Sequence, residues 1–87
     1  MGDLLVDIKK NLAYLLITCN VGKIDDVISQ IKNLIFIQEV QRTCGAYDII
    51  AKAESNTQES LQKFVLEQIK SIGNVRSSIT LHCKPIL

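Results

Sequence analysis

The residues with chemistry to offer fall in two short stretches, Thr43, Gly45 and Asp48 in the first and Arg76, Ser78 and Thr80 in the second. The Asp48 carboxylate can receive an ammonium group and the Arg76 guanidinium can receive a carboxylate, so together they match both charges of an α-amino acid. The hydroxyls of Thr43, Ser77, Ser78 and Thr80 donate or accept as a ligand requires, and Gly45 permits a sharp turn or close backbone approach. The amides of a helix beginning near Gly22 offer a second seat for a carboxylate. Each feature also has a bland reading. Asp48 can cap a hairpin through backbone amides, Gly45 can be a turn glycine, Arg76 a solvated rim charge or an oligomer contact, and the hydroxyls the outer face of a half-exposed strand.

The elements that must position these groups are legible in the pattern. Ala13 to Cys19 (AYLLITC) is an apolar, β-forming run ended by the turn signal Asn20-Val21-Gly22. Ile24, Val27, Ile28, Ile31 and Leu34 then recur at helical spacing, with Asp25 and Asp26 in the first turn. Ile37 to Cys44 and Tyr47 to Glu54 read as strands joined by a tight Gly45-Ala46 turn, and Tyr47 is expected to pack in the core or an interface. Asn56 and Glu59 have capping-box spacing ahead of Leu61, Phe64, Val65, Ile69 and Ile72, and Gly73 stands at the left-handed C-cap position. Val75 to Cys83 alternates Ile79, Leu81 and Cys83 with Ser78, Thr80 and His82 before Pro85.

The order βαββαβ predicts an α+β, ferredoxin-like fold: a four-stranded antiparallel sheet with two helices on one face and strand order 4-1-3-2. That order gathers the end of the first strand, the hairpin tip and the start of the last strand at one edge. Leu16 and Ile50 fall out of phase with their apolar neighbours, so both sheet faces carry apolar groups, and a dimeric α/β sandwich is the expected remedy. Residues 12–87 read as one domain. Met1 to Asn11 is a short leader that can add a strand or swap across a dimer.

Composition narrows the function. The chain has 87 residues, 47% of them hydrophobic, with a formal charge of +1. It therefore has no long-range field to draw nucleic acid or an anionic membrane, and neither partner is expected. With no signal sequence or membrane span, a cytoplasmic location is expected. The three cysteines, Cys19, Cys44 and Cys83, lack CxxC spacing and read as reduced thiols. Antiparallel pairing should hold Cys19 and Cys83 about 15 to 20 Å apart, so with the single histidine, His82, they form a metal site only across an oligomer interface. No cofactor is expected. Without a nucleophile motif, a phosphate loop or a placed carboxylate pair, the chain does not read as an enzyme.

The hairpin string Gly45-Ala46-Tyr47-Asp48-Ile49-Ile50-Ala51-Lys52 resembles that of the effector-binding (RAM) domain of the Lrp/AsnC family. Ala13-Tyr14, Gly22-Lys23 and the segment from Ile72 to Leu81 extend the resemblance over residues 12–83. It implies a ligand site between dimers, with Gly45 and Asp48 matching the hairpin glycine and aspartate near the effector. Family members usually carry a DNA-binding helix-turn-helix ahead of this domain, and the leader is too short to hold one. A stand-alone amino-acid sensor is therefore expected, a homodimer or higher homo-oligomer that modulates transcription through a full-length Lrp/AsnC regulator without binding DNA itself. The alternatives are a ligand-free co-assembly module for such a regulator and a metal-binding protein. Two positions depart from the family pattern: Ile35-Phe36 replaces a common Pro-Gly, and Cys44 replaces a common Thr.

Overall fold

A computed structural model describes residues 11–83. The elements are β1 (Asn11–Cys19), α1 (Ile24–Ile31), β2 (Ile37–Arg42), β3 (Ile49–Ser55), α2 (Gln58–Phe64) running directly into a π-helical turn (Val65–Ile69), and β4 (Val75–Cys83). The strands form one antiparallel sheet in the order β2-β3-β1-β4, as the ferredoxin-like reading requires. The leader lies outside the described residues, apart from Asn11, which opens β1.

Alternation along the two central strands decides which side chains meet the helices. Ala13, Leu15, Ile17 and Cys19 of β1 and Ile49, Ala51 and Ala53 of β3 are buried on one face. Ala13 lies opposite Ala53 and Leu15 opposite Ala51, so these two cross-strand pairs each hold at least one small side chain. That leaves room for Val27 and Ile31 of α1 and for Leu61, Phe64, Val65 and Ile69 of the second helical segment to complete the core. The Phe36 ring tilts against Phe64 at a centroid distance of 5.1 Å, while Ile35 is 84% exposed. The replacement of Pro-Gly thus supplies one half-buried aromatic anchor and one exposed apolar side chain.

Several local expectations shift. The connection between β2 and β3 is a loop over residues 43–48, closed by the Thr43 amide donating to Asp48 O at 2.9 Å, and not a two-residue turn. The cap of α2 is Thr57, whose hydroxyl accepts from the Ser60 amide at 3.1 Å, one residue after the expected Asn56 and Glu59. The left-handed residue before β4 is Asn74 (φ 71°), not Gly73. Ile79 and Leu81 of β4 point away from the helices and are 44% and 50% exposed, while Val75 packs against the core. In register, Leu16 lies between Ile50 on one side and Ile79 on the other, so the sheet face left uncovered among the described residues carries a row of apolar groups.

Candidate functional site

The hairpin tip is held from inside the sheet. The Asp48 amide donates to Ile17 O at 2.9 Å, and its carboxylate Oδ2 accepts from the Cys19 amide at 2.8 Å, closing the end of β1 where the strand pairing to β4 shifts register. One amide uses only part of the capacity of a carboxylate, which offers about four lone-pair sites. Capping and ligand binding are therefore compatible at Asp48. The Thr43 hydroxyl donates to Tyr47 O at 2.6 Å, and Arg42 pairs with Asp25 of α1 at 2.8 Å across exposed surface. Gly45 adopts φ 115°, a backbone conformation that side-chain-bearing residues rarely take, and an added Cβ would meet nothing within 4 Å. Conformation, not crowding within the subunit, explains the glycine.

The start of α1 is less suited to a ligand carboxylate than its position suggests. Asp25 and Asp26 stand in its first turn and already satisfy the helix dipole, and Lys23 makes no side-chain cap.

The second stretch occupies a different surface. Ser78, Thr80 and His82 lie opposite Ile17, Leu15 and Ala13 and therefore share the helix-facing side of β4. They line a groove of about 360 Å³ whose other wall is Gln62, Leu66 and Lys70, with Val65 at its base. A second cleft at the start of β4 shares Lys70 and Ser78 and adds Val75, Arg76 and Ser77. The Ser77 hydroxyl meets Thr18 Oγ1 at 2.6 Å on the opposite face. Of the residues singled out in the sequence, Thr43, Gly45 and Asp48 come together in the hairpin loop, while Ser78 and Thr80 line the groove and Arg76 the cleft that adjoins it, with β1 between the hairpin and β4. Sequence reasoning missed Gln62, Leu66 and Lys70; their spacing of four along one helix edge is the signal that points to a common wall. His82 Nδ1 is buried with no hydrogen-bond partner among the described residues.

Cys19 and Cys83 stand at opposite ends of β1, paired near Val75 and Leu12 respectively. Among the described residues no group of three or more His, Cys, Asp or Glu side chains is placed to hold a metal ion, and no helix is long and apolar enough to cross a membrane. Burial first, and the Asp48 carboxylate second, push the Cys19 thiol above its ordinary value of 9.0. The folded chain thus holds this proton more tightly than the unfolded chain. The associated stability is fully present below the unfolded value and is lost as pH rises through the folded one. Urea midpoints measured from about pH 8 to about pH 10.5 should fall in the wild type and fall less steeply in Cys19→Ala.

A family model described as the Lrp/AsnC ligand binding domain matches residues 12–83. The HTH-type transcriptional regulator FL11 of Pyrococcus furiosus is 34% identical over 70 residues, covering 80% of this chain and 46% of that protein, so the chain spans about half the length of this relative. Among solved structures, FFRP-DM1 superposes with a TM-score of 0.82 at 24% identity, covering 85% of this chain and 99% of that one. A transcriptional regulator of Neisseria meningitidis, NMB0573, described as an L-Met complex, superposes with a TM-score of 0.80 at 12% identity, covering 100% of this chain and 56% of that one. These two likenesses bear on the fold.

Proposed function

The chain belongs to the Lrp/AsnC ligand-binding-domain family, and from that membership we propose that it binds an amino-acid effector at a site shared between subunits and passes the signal on through assembly. The observation that carries this reading is the division of the candidate residues. The hairpin offers Asp48 as a seat for an ammonium group, while the groove beside β4 offers Ser78 and Thr80, and the cleft adjoining it Arg76, as donors to a carboxylate. Two strand spacings, roughly 10 Å, separate the two within one subunit. An amino acid spans both sets of groups only when the hairpin of one subunit faces the β4 groove of another.

Binding then requires assembly, and the ligand favours whichever oligomer presents the completed site. The uncovered sheet face supplies the first contact, a homodimer, and the hairpin and groove the second, between dimers. A regulator of the family that carries a DNA-binding unit is the partner through which such a sensor alters transcription. The description of NMB0573 with L-methionine supports an amino acid as the ligand class.

A thermal-shift panel of the standard amino acids tests the reading. An effector at about 100 times its dissociation constant stabilises the native state by about 2.7 kcal/mol, which a domain of this size reports as several degrees. Asp48→Asn keeps an acceptor for the Cys19 amide but removes the charge, and it should abolish the ligand-induced shift while leaving the unliganded melting temperature nearly unchanged. Absence of a shift with every amino acid would favour the ligand-free co-assembly module.

A further inference from the structure

The groove beside β4 carries charge of one sign. Lys70 lines both it and the adjoining cleft, Arg76 lines the latter, and neither surface is lined by an aspartate or a glutamate. The acidic residue nearest in sequence, Glu67, lines a different cleft with Ile35 and Phe36. Ser78 lines both surfaces with Lys70, Thr80 lines the groove, and His82 Nδ1 is buried without a partner among the described residues. A buried polar atom left unpaired is costly, and such groups in native structures normally find a partner in a ligand, an ion or water. The volume, about 360 Å³, falls within the about 300–1,000 Å³ typical of small-molecule clefts.

Charge matching then narrows the ligand. A monocarboxylic amino acid places its ammonium group at Asp48 and its carboxylate at one cation, leaving the other cation unmatched. A basic amino acid brings a positive side chain toward Lys70 and Arg76. A dicarboxylic amino acid supplies two carboxylates for two cations and one ammonium for Asp48, and its side-chain oxygens accept from Lys70 Nζ and the β4 hydroxyls. We propose that the Lys70–Arg76 groove selects amino acids whose side chain ends in a carboxylate, an assignment that rests on the shared effector site described above.

Titration calorimetry with L-glutamate, L-aspartate, L-glutamine, L-asparagine and L-lysine tests it. In the wild type each acid should bind at least about tenfold more tightly than its amide, the factor one charge-assisted contact supplies, and L-lysine should be weakest. In Lys70→Gln, an exposed position that should not disturb folding, the acid-to-amide ratio should collapse toward one while amide binding persists. A neutral or basic amino acid that binds as tightly as the acids, with its binding lost in Asp48→Asn, would overturn the selection and leave the effector site standing. Retention of the full ratio in both Lys70→Gln and Arg76→Gln would overturn the groove as its source. Failure of all five ligands to bind would overturn this inference alone; the effector site itself falls only if the full panel of standard amino acids also gives no thermal shift.

Discussion

Replacing Leu15 by alanine is expected to cost about 2–5 kcal/mol of unfolding free energy, a large share of the roughly 5–15 kcal/mol that holds a domain of this kind together. Leu15 is fully buried at the middle of β1, the strand paired on both sides, and its register partners are Ala51 and Thr80. Ala51 is too small to fill the space vacated by a leucine side chain. Hydrogen-bonded ladders on both flanks stop β1 from sinking toward the helices. The cavity therefore stays open, which places the loss toward the upper end of the range. Leu16→Ala is the internal control. Leu16 sits one residue along, half-buried on the uncovered face, and its truncation should change the unfolding free energy of the isolated subunit much less. Urea titrations read the difference as a shift in midpoint at unchanged slope. Equal losses at the two positions would mean that β1 faces the helices with the wrong residues.

The contrast between these neighbours marks where the sequence is legible. The run from Leu12 to Cys19 is apolar at nearly every position, so periodicity alone does not say which face is inside. The out-of-phase pair Leu16 and Ile50 was the usable clue, and the structure puts them directly opposite each other on the uncovered side. Element types and order follow from local spacing. The details that differ depend on partners remote in the chain. Asp48 looks like a turn residue beside Gly45, yet its carboxylate reaches the Cys19 amide on another strand, 29 residues away in the chain. Asn56 and Thr57 are both competent caps. Thr57 takes the role with Ser60, while the Asn56 carbonyl accepts from the Asn11 side chain at 3.2 Å. The π-helical turn, closed by the Lys70 amide on Val65 O, has no signal in the sequence that we can identify.

The candidate site shows the same limit from another side. Strand order correctly places the hairpin tip and the start of β4 toward one end of the sheet, but it carries no information on the face each side chain takes. A strand turns successive residues to opposite faces, so Ser77 meets Thr18 on the uncovered side while Ser78 enters the groove under the helix. Residue types and proximity along the sheet suggest one cluster. The alternation separates Ser77 from Ser78, and the function proposed above takes the hairpin and the groove as halves of one site shared between subunits.

A charge at the centre of the uncovered face is therefore expected to break the assembly without breaking the fold. Leu16→Asp places a carboxylate in register with Ile50 and Ile79, beside the half-exposed Leu81. In a lone subunit this face meets water, and the carboxylate costs little. In a dimer packed through this face it would be dehydrated, with the nearest basic residue of its own subunit, Lys52, one rung away across from Tyr14. The dissociation constant should rise at least about 100-fold, the equivalent of roughly 2.7 kcal/mol, and light scattering after size-exclusion chromatography should report a monomer with an unchanged circular dichroism spectrum. The same variant separates a composite site from one complete within the subunit. Leu16 lies on the face opposite the β4 groove. If the hairpin and groove must come from different subunits of an assembly built on the dimer, Leu16→Asp loses the amino-acid-induced thermal shift together with its quaternary structure. A monomer that keeps the full ligand-induced shift would show that one subunit holds every group the effector needs.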